Sequence, residues 1–212
     1  MHQNTATACE LGNPKESLLG LSDSNSIQEH HLIQDCPHLV LSNPCSEFVS
    51  SLSSVLAKLD HSLSGLCPDK IQARESIELK KLKHKYNSFV SRFTKVKQIQ
   101  NSVYVYSLVL AKKVQKIVSE KFSFGAGEMV LLYAGCLLLS IKMVLDTEKW
   151  FVEDFALVSG LDKASISKIE LFLMEECLDF YAGISEEEYR KEYLSLYRKT
   201  EKRRARKAGS NK

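Results

Sequence analysis

The side chains in this sequence with chemistry to offer are six cysteines, six histidines and one dense run of cations. The cysteines are Cys9, Cys36, Cys45, Cys67, Cys136 and Cys177, and no two stand as a C-x-x-C pair. A zinc site needs Cys and His clustered at short spacings, which Cys36-Pro37-His38 alone does not supply. An even count permits disulfides, but Met1-His2-Gln3-Asn4-Thr5 has neither the basic nor the apolar region of a secretory signal. Buried or free thiols are therefore expected. His2, His30, His31 and His38 fall in a polar leading segment, so no Ser/His/Asp or Cys/His order can be placed. The chain has no P-loop, no G-x-G-x-x-G and no H-E-x-x-H. Catalysis, a metal and a cofactor are not expected.

The cations crowd into residues 198–207, where seven of ten are basic, Lys202, Arg203, Arg204, Arg206 and Lys207 among them. Such a run can be a nuclear localisation signal or a patch for phosphates. It can equally be a solvated helix end, where cations favour the negative dipole terminus. With no interleaved aromatics, only phosphate attraction is supported, and the formal net charge of +3 sets up no global field. Nucleic acid is not an expected partner.

The positioning elements read as helices. Phe48, Val49, Leu52, Val55, Leu56 and Leu59 recur at three- and four-residue steps, and Gly65 and Pro68 stop that helix. Residues 69–88 are charged, with apolar positions too irregular to choose between helix and linker. A short helix is expected over 89–99, with Phe93, Val96 and Ile99 on one side. From Ser102 a long helix carries Val103, Tyr106, Leu110, Val114 and Ile117, thickened by Val105, Leu108 and Val109. After Gly125 and Gly127 a second long helix, over 128–145, is apolar almost all round and so belongs at a bundle's centre.

Trp150, Phe151, Phe155, Leu157 and Val158 suggest a short helix, with Gly160 suited to the left-handed residue after it. Asp162 can cap the next helix, which turns Ile166, Ile169, Leu173, Met174 and Cys177 inward. Ser185-Glu186-Glu187-Glu188 has the capping-box pattern for a last helix striped by Tyr189, Tyr193, Leu196 and Tyr197. No alternating strand pattern of useful length occurs, and the fold class is all-α. The longest apolar stretch, residues 129–139, falls short of the roughly 18 to 20 residues a membrane span needs. With 44% hydrophobic and 26% charged residues in 212, the chain suits one soluble domain with tails.

Four motifs in order give the chain a family likeness. They are Ile141-Lys142-Met143-Val144-Leu145-Asp146, Val158-Ser159-Gly160-Leu161-Asp162, Ser167-Lys168-Ile169-Glu170 and Leu178-Asp179-Phe180. Together with the upstream helix at 51–56, they resemble single-box cyclins of the fungal phosphate-system and plant U/P types, over residues 46–195. The chain departs from that pattern at Ile141 and Met143, where the family has Ser and an aromatic. It also carries an extra residue between Lys142 and Asp146 and another between Glu170 and Asp179. An inserted residue in a helix calls for a bulge or a shifted helix end.

The resemblance implies a cyclin-box bundle of about five helices with a preceding N-terminal helix and a C-terminal helix. The divisions are 1–44, a disordered segment; 45–88, N-terminal helix and linker; 89–184, the box; and 185–212, C-terminal amphipathic helix and basic tail. It further implies a regulatory subunit that binds and activates a cyclin-dependent protein kinase, in nucleus and cytoplasm, with no small-molecule substrate and no membrane. Lys142 and Glu170 would meet across the kinase-binding groove, with Leu139, Met143 and Met174 flooring an apolar pocket. The alternative is a cyclin-fold module of transcription machinery that contacts nucleic acid or other proteins.

Overall fold

The computed structural model describes residues 43–63, 72–96, 99–122, 128–145 and 152–210. Seven α-helices run through them: α1 Ser46–Leu63, α2 Gln72–Phe93, α3 Asn101–Lys121, α4 Met129–Leu145, α5 Val152–Ser159, α6 Lys163–Phe172 and α7 Glu186–Ser210. A π-helical turn, Leu173–Cys177, continues α6, and the described residues contain no strand. The all-α fold class stands. No described helix is long and apolar enough to cross a membrane. Trp150, Phe151, Gly125, Gly127 and the leading segment 1–42 lie outside the described residues.

The core forms around α3 and α4, whose residues are buried on nearly every side. Tyr133 of α4 marks the centre. Ser107 of α3 lies 3.1 Å from its hydroxyl, and its ring meets Tyr86 and Phe89 of α2 edge-on, each at 6.2 Å. Aromatic pairs of this geometry add about 1 kcal/mol beyond the area they bury. α1 supplies Phe48, Leu52 and Leu56 to the same core. Its buried Ser53 returns its hydroxyl to the Val49 carbonyl at 2.7 Å, which satisfies a donor that water cannot reach. Buried Asp60 accepts from the Tyr86 hydroxyl at 3.1 Å and ties α1 to α2.

The segment that the sequence leaves between helix and linker is helical from Gln72 and continuous with the helix expected to start at Phe89. That expectation is corrected at both ends: the helix begins 17 residues earlier and stops at Phe93, before the turn at 94–96. From Ile77 onward, where its side chains are described, the buried residues are Tyr86, Phe89, Val90 and Phe93, a four-position stripe in the last two turns. The boundary drawn between 88 and 89 thus falls inside one helix.

Three terminators act as the sequence suggests. Gly160 sits at φ 70, and its N–H donates to the Ala156 carbonyl at 2.9 Å. Arg92 reaches over from α2 to donate to the Ser159 carbonyl, satisfying another orphan acceptor at that helix end. Asp162 caps α6 by accepting from Ser165 N–H at 2.8 Å, which holds its carboxyl below the usual range. At α7, Ser185 N–H donates to Glu188 and Glu188 N–H to Ser185 Oγ, at 2.8 and 3.2 Å, the reciprocal capping box.

Gly160→Ala is expected to lower unfolding stability by about 2 kcal/mol, through the left-handed backbone and because its Cβ would stand 2.5 Å from the Arg92 guanidinium. Denaturant unfolding checks this, and an unchanged midpoint would contradict it. A second expectation concerns pH. The hydrogen bond from Lys207 holds the Glu47 carboxyl at about 2, so this group binds its proton more weakly folded than unfolded. Its contribution is present above the unfolded glutamate value of about 4.3 and is lost as pH falls toward 2. Glu47→Gln should lower stability slightly at neutral pH and flatten the acid limb between those values, so that variant and wild type converge toward pH 2.

Candidate partner-binding site

Lys142 lies in the last turn of α4 and Glu170 near the end of α6. Two contacts decide that they meet. Gly135, two turns before Lys142, has no side chain where Leu173 Cδ1 and Ile169 Cγ2 press in; a Cβ there would stand 2.5 and 3.3 Å from them. The α6 backbone therefore sits close against α4, with Ile166, Ile169 and Leu173 buried on the facing side. Glu170 follows Ile169 at the rim of that contact. Its Oε1 lies 2.5 Å from Lys142 Nζ, with the side chains 20% and 39% exposed. A pair so open to water adds at most about 1 kcal/mol to stability.

The other residues expected here divide by depth. Leu139, one turn before Lys142, is 5% exposed and belongs to the core beneath the pair. Met143 is 53% exposed and stands beside Lys142 at the surface. Met174, a turn beyond Glu170 in the π turn, is half-buried. Leu171, next to Glu170, is 54% exposed and was not among the expected residues. The available signal was its position off the buried 166–169–173 stripe. An exposed ion pair thus lies on the α4–α6 seam, and the residues that follow its two members in sequence, Met143 and Leu171, are exposed apolar side chains.

The chain passes from α6 into the π turn, where Leu178 N–H donates to the Leu173 carbonyl at 2.9 Å, five residues back. Beyond it Asp179 and Phe180 are both left-handed, at φ 46 and 57, and Phe180 and Tyr181 project into solvent. Tyr106 donates to the Ala182 carbonyl at 3.1 Å and Lys113 to that of Gly183 at 3.2 Å, so α3 holds this bend in place.

The basic run is not a separate tail. It continues α7 to Ser210 and lies antiparallel along α1. Arg203 donates to Ser54 Oγ at 2.8 Å and Lys207 to Glu47 at 3.0 Å. Arg204 donates to Glu201 at 2.8 Å and approaches Cys45 Sγ at 3.3 Å. Lys202 and Arg206 are exposed. Cys45, Cys136 and Cys177 are free thiols, and burial pushes Cys136 and Cys177 above the ordinary thiol range. Cys9, Cys36 and Cys67 lie outside the described residues. Among the described residues no three His, Cys, Asp or Glu side chains group closely enough to hold a metal ion.

Gly135→Val should lower the thermal midpoint by the equivalent of about 1–3 kcal/mol, because the added methyls meet Leu173 and Ile169 in a filled seam. Lys142→Ala should cost less than about 1 kcal/mol, as the pair is solvated. Thermal unfolding of the two variants side by side checks the contrast; equal losses would contradict it. No family model, no curated protein and no solved structure matches this chain.

Proposed function

We propose that this protein is a cyclin: a non-catalytic subunit that binds a cyclin-dependent protein kinase in nucleus and cytoplasm and favours its active form. One observation supports the reading above the others. Lys142 and Glu170, assigned to opposite sides of a kinase-binding groove by motif order alone, stand 2.5 Å apart on the surface seam between α4 and α6. The paired charges fix each other's rotamers, and their spare donors and acceptors are free to bond a partner's backbone. Met143 and Leu171, next in sequence to the two charges, are exposed apolar side chains. Charge-assisted bonds of this kind set register and orientation more than net affinity.

The action would be a population shift. A protein kinase places ATP through a Lys–Glu pair between a β-strand and its C-helix. A partner that grips the kinase only with that helix swung in favours the active form by its difference in affinity for the two states. Moving the balance from 1:99 to 99:1 takes about 5.5 kcal/mol of such preference. Exposed Met143 and Leu171 and two oriented charges would supply part of that difference.

The test is recovery of the full chain from its own cell extract, with co-purified kinase activity assayed on a generic basic substrate. Wild type should bring down activity, and a Lys142→Ala/Glu170→Ala variant of unchanged helical content should lose it. Activity with both would remove the site while keeping the cyclin. Activity with neither would overturn the reading.

A further inference from the structure

The stretch from Ile169 to Tyr189 carries seven acids and no Lys, Arg or His. Two of the acids are engaged within the chain, Glu170 by Lys142 and Glu188 by Lys113. The other five, Glu175, Glu176, Asp179, Glu186 and Glu187, are exposed. Of the cations on α3, which holds this bend, Lys112 is engaged by Glu192. Exposed Lys116 and Lys121 offset at most two of the five acids.

Between these acids in the sequence stand the two most exposed aromatics among the described residues, Phe180 at 66% and Tyr181 at 75%. Both are fastened. Phe180 N–H donates to the Met174 carbonyl and Tyr181 N–H to that of Leu178, each at 2.8 Å. The next two carbonyls, of Ala182 and Gly183, accept from Tyr106 and Lys113 of α3. The far edge of the Tyr181 ring lies against Gly183, where a Cβ would stand 2.5 Å from its hydroxyl. A phenylalanine at φ 57 is uncommon, and this set of bonds keeps it there. Anchors placed beforehand in this way lose little freedom on binding.

We propose that the bend over residues 175–187 is a docking site for an arginine-rich segment of another protein. A guanidinium lies flat on an aromatic face while its edge donates paired hydrogen bonds to a carboxylate. Rings with acids before and after them can therefore meet several cations along one peptide. A metal ion needs converging carboxylates, and among the described residues no three acids group closely enough for one. The surplus of negative charge repels nucleic acid and anionic lipid. This surface goes beyond the cyclin reading and does not depend on it, because Glu170 is held by Lys142.

Fluorescence anisotropy of a labelled peptide of about ten residues, with arginine at every second position, against the full chain in 50 mM salt tests the proposal. Phe180→Ala/Tyr181→Ala should weaken binding about tenfold. Glu175→Gln/Glu176→Gln/Asp179→Asn should do so by about the same factor and make binding less sensitive to salt. Asparagine tolerates the left-handed backbone at 179, the substituted side chains are exposed, and circular dichroism would confirm unchanged helix content. A peptide with lysine in place of arginine should bind more weakly than the arginine peptide. No binding by wild type would overturn the proposal, as would undiminished binding by either variant or equal binding of a glutamine-substituted peptide. Sedimentation of wild type alone is the companion measurement. Self-association abolished by Phe180→Ala/Tyr181→Ala would put a second copy of this chain on the bend and overturn the assignment to another protein.

Discussion

The approach of α6 to α4 across Gly135 sets the course of the chain from Lys163 to the start of α7. A glycine inside a helix otherwise built of large apolar residues costs about 1 kcal/mol relative to alanine. It is accommodated here because Leu173 and Ile169 occupy the space where its Cβ would be. With those two side chains lodged against α4, the height of α6 along α4 is set. Glu170 then comes opposite Lys142, and the π turn starts where Leu173 is anchored. From that turn the chain passes through left-handed Asp179 and Phe180 to the Ser185 capping box, so the start of α7 inherits the same constraint.

Several of these features are legible in the sequence, because each is local. The all-round apolar pattern of 129–145, Gly160, Asp162 and the Ser185/Glu188 box need only neighbouring residues to be recognised. α2 is not legible, since from Ile77 onward its buried stripe is Tyr86, Phe89, Val90 and Phe93, while the sequence before it is charged. The Lys142–Glu170 pair is a different case. No periodicity links residues 28 apart on two helices, and only a family likeness brought them to notice.

The packed core and the solvated ion pairs sit in different parts of the molecule. The fold is held by Tyr133 and its aromatic neighbours, the Asp60–Tyr86 bond and the α3–α4 contact. Solvated pairs such as Lys142–Glu170 and Lys207–Glu47 contribute little to folding and keep charged groups at defined places on the surface. Such a division lets a docking surface be altered with small effect on the core. That separation also makes the site testable by substitutions that leave the fold intact.

The most direct measurement is a charge exchange at the pair, Lys142→Glu with Glu170→Lys, followed by thermal unfolding and by recovery of kinase activity from extract. The exchange restores the intrachain ion pair but reverses the polarity offered to a partner. If the pair is the kinase contact, the thermal midpoint stays unchanged and recovered kinase activity is lost. Activity recovered at the wild-type level would contradict it, because the charges would then serve only each other.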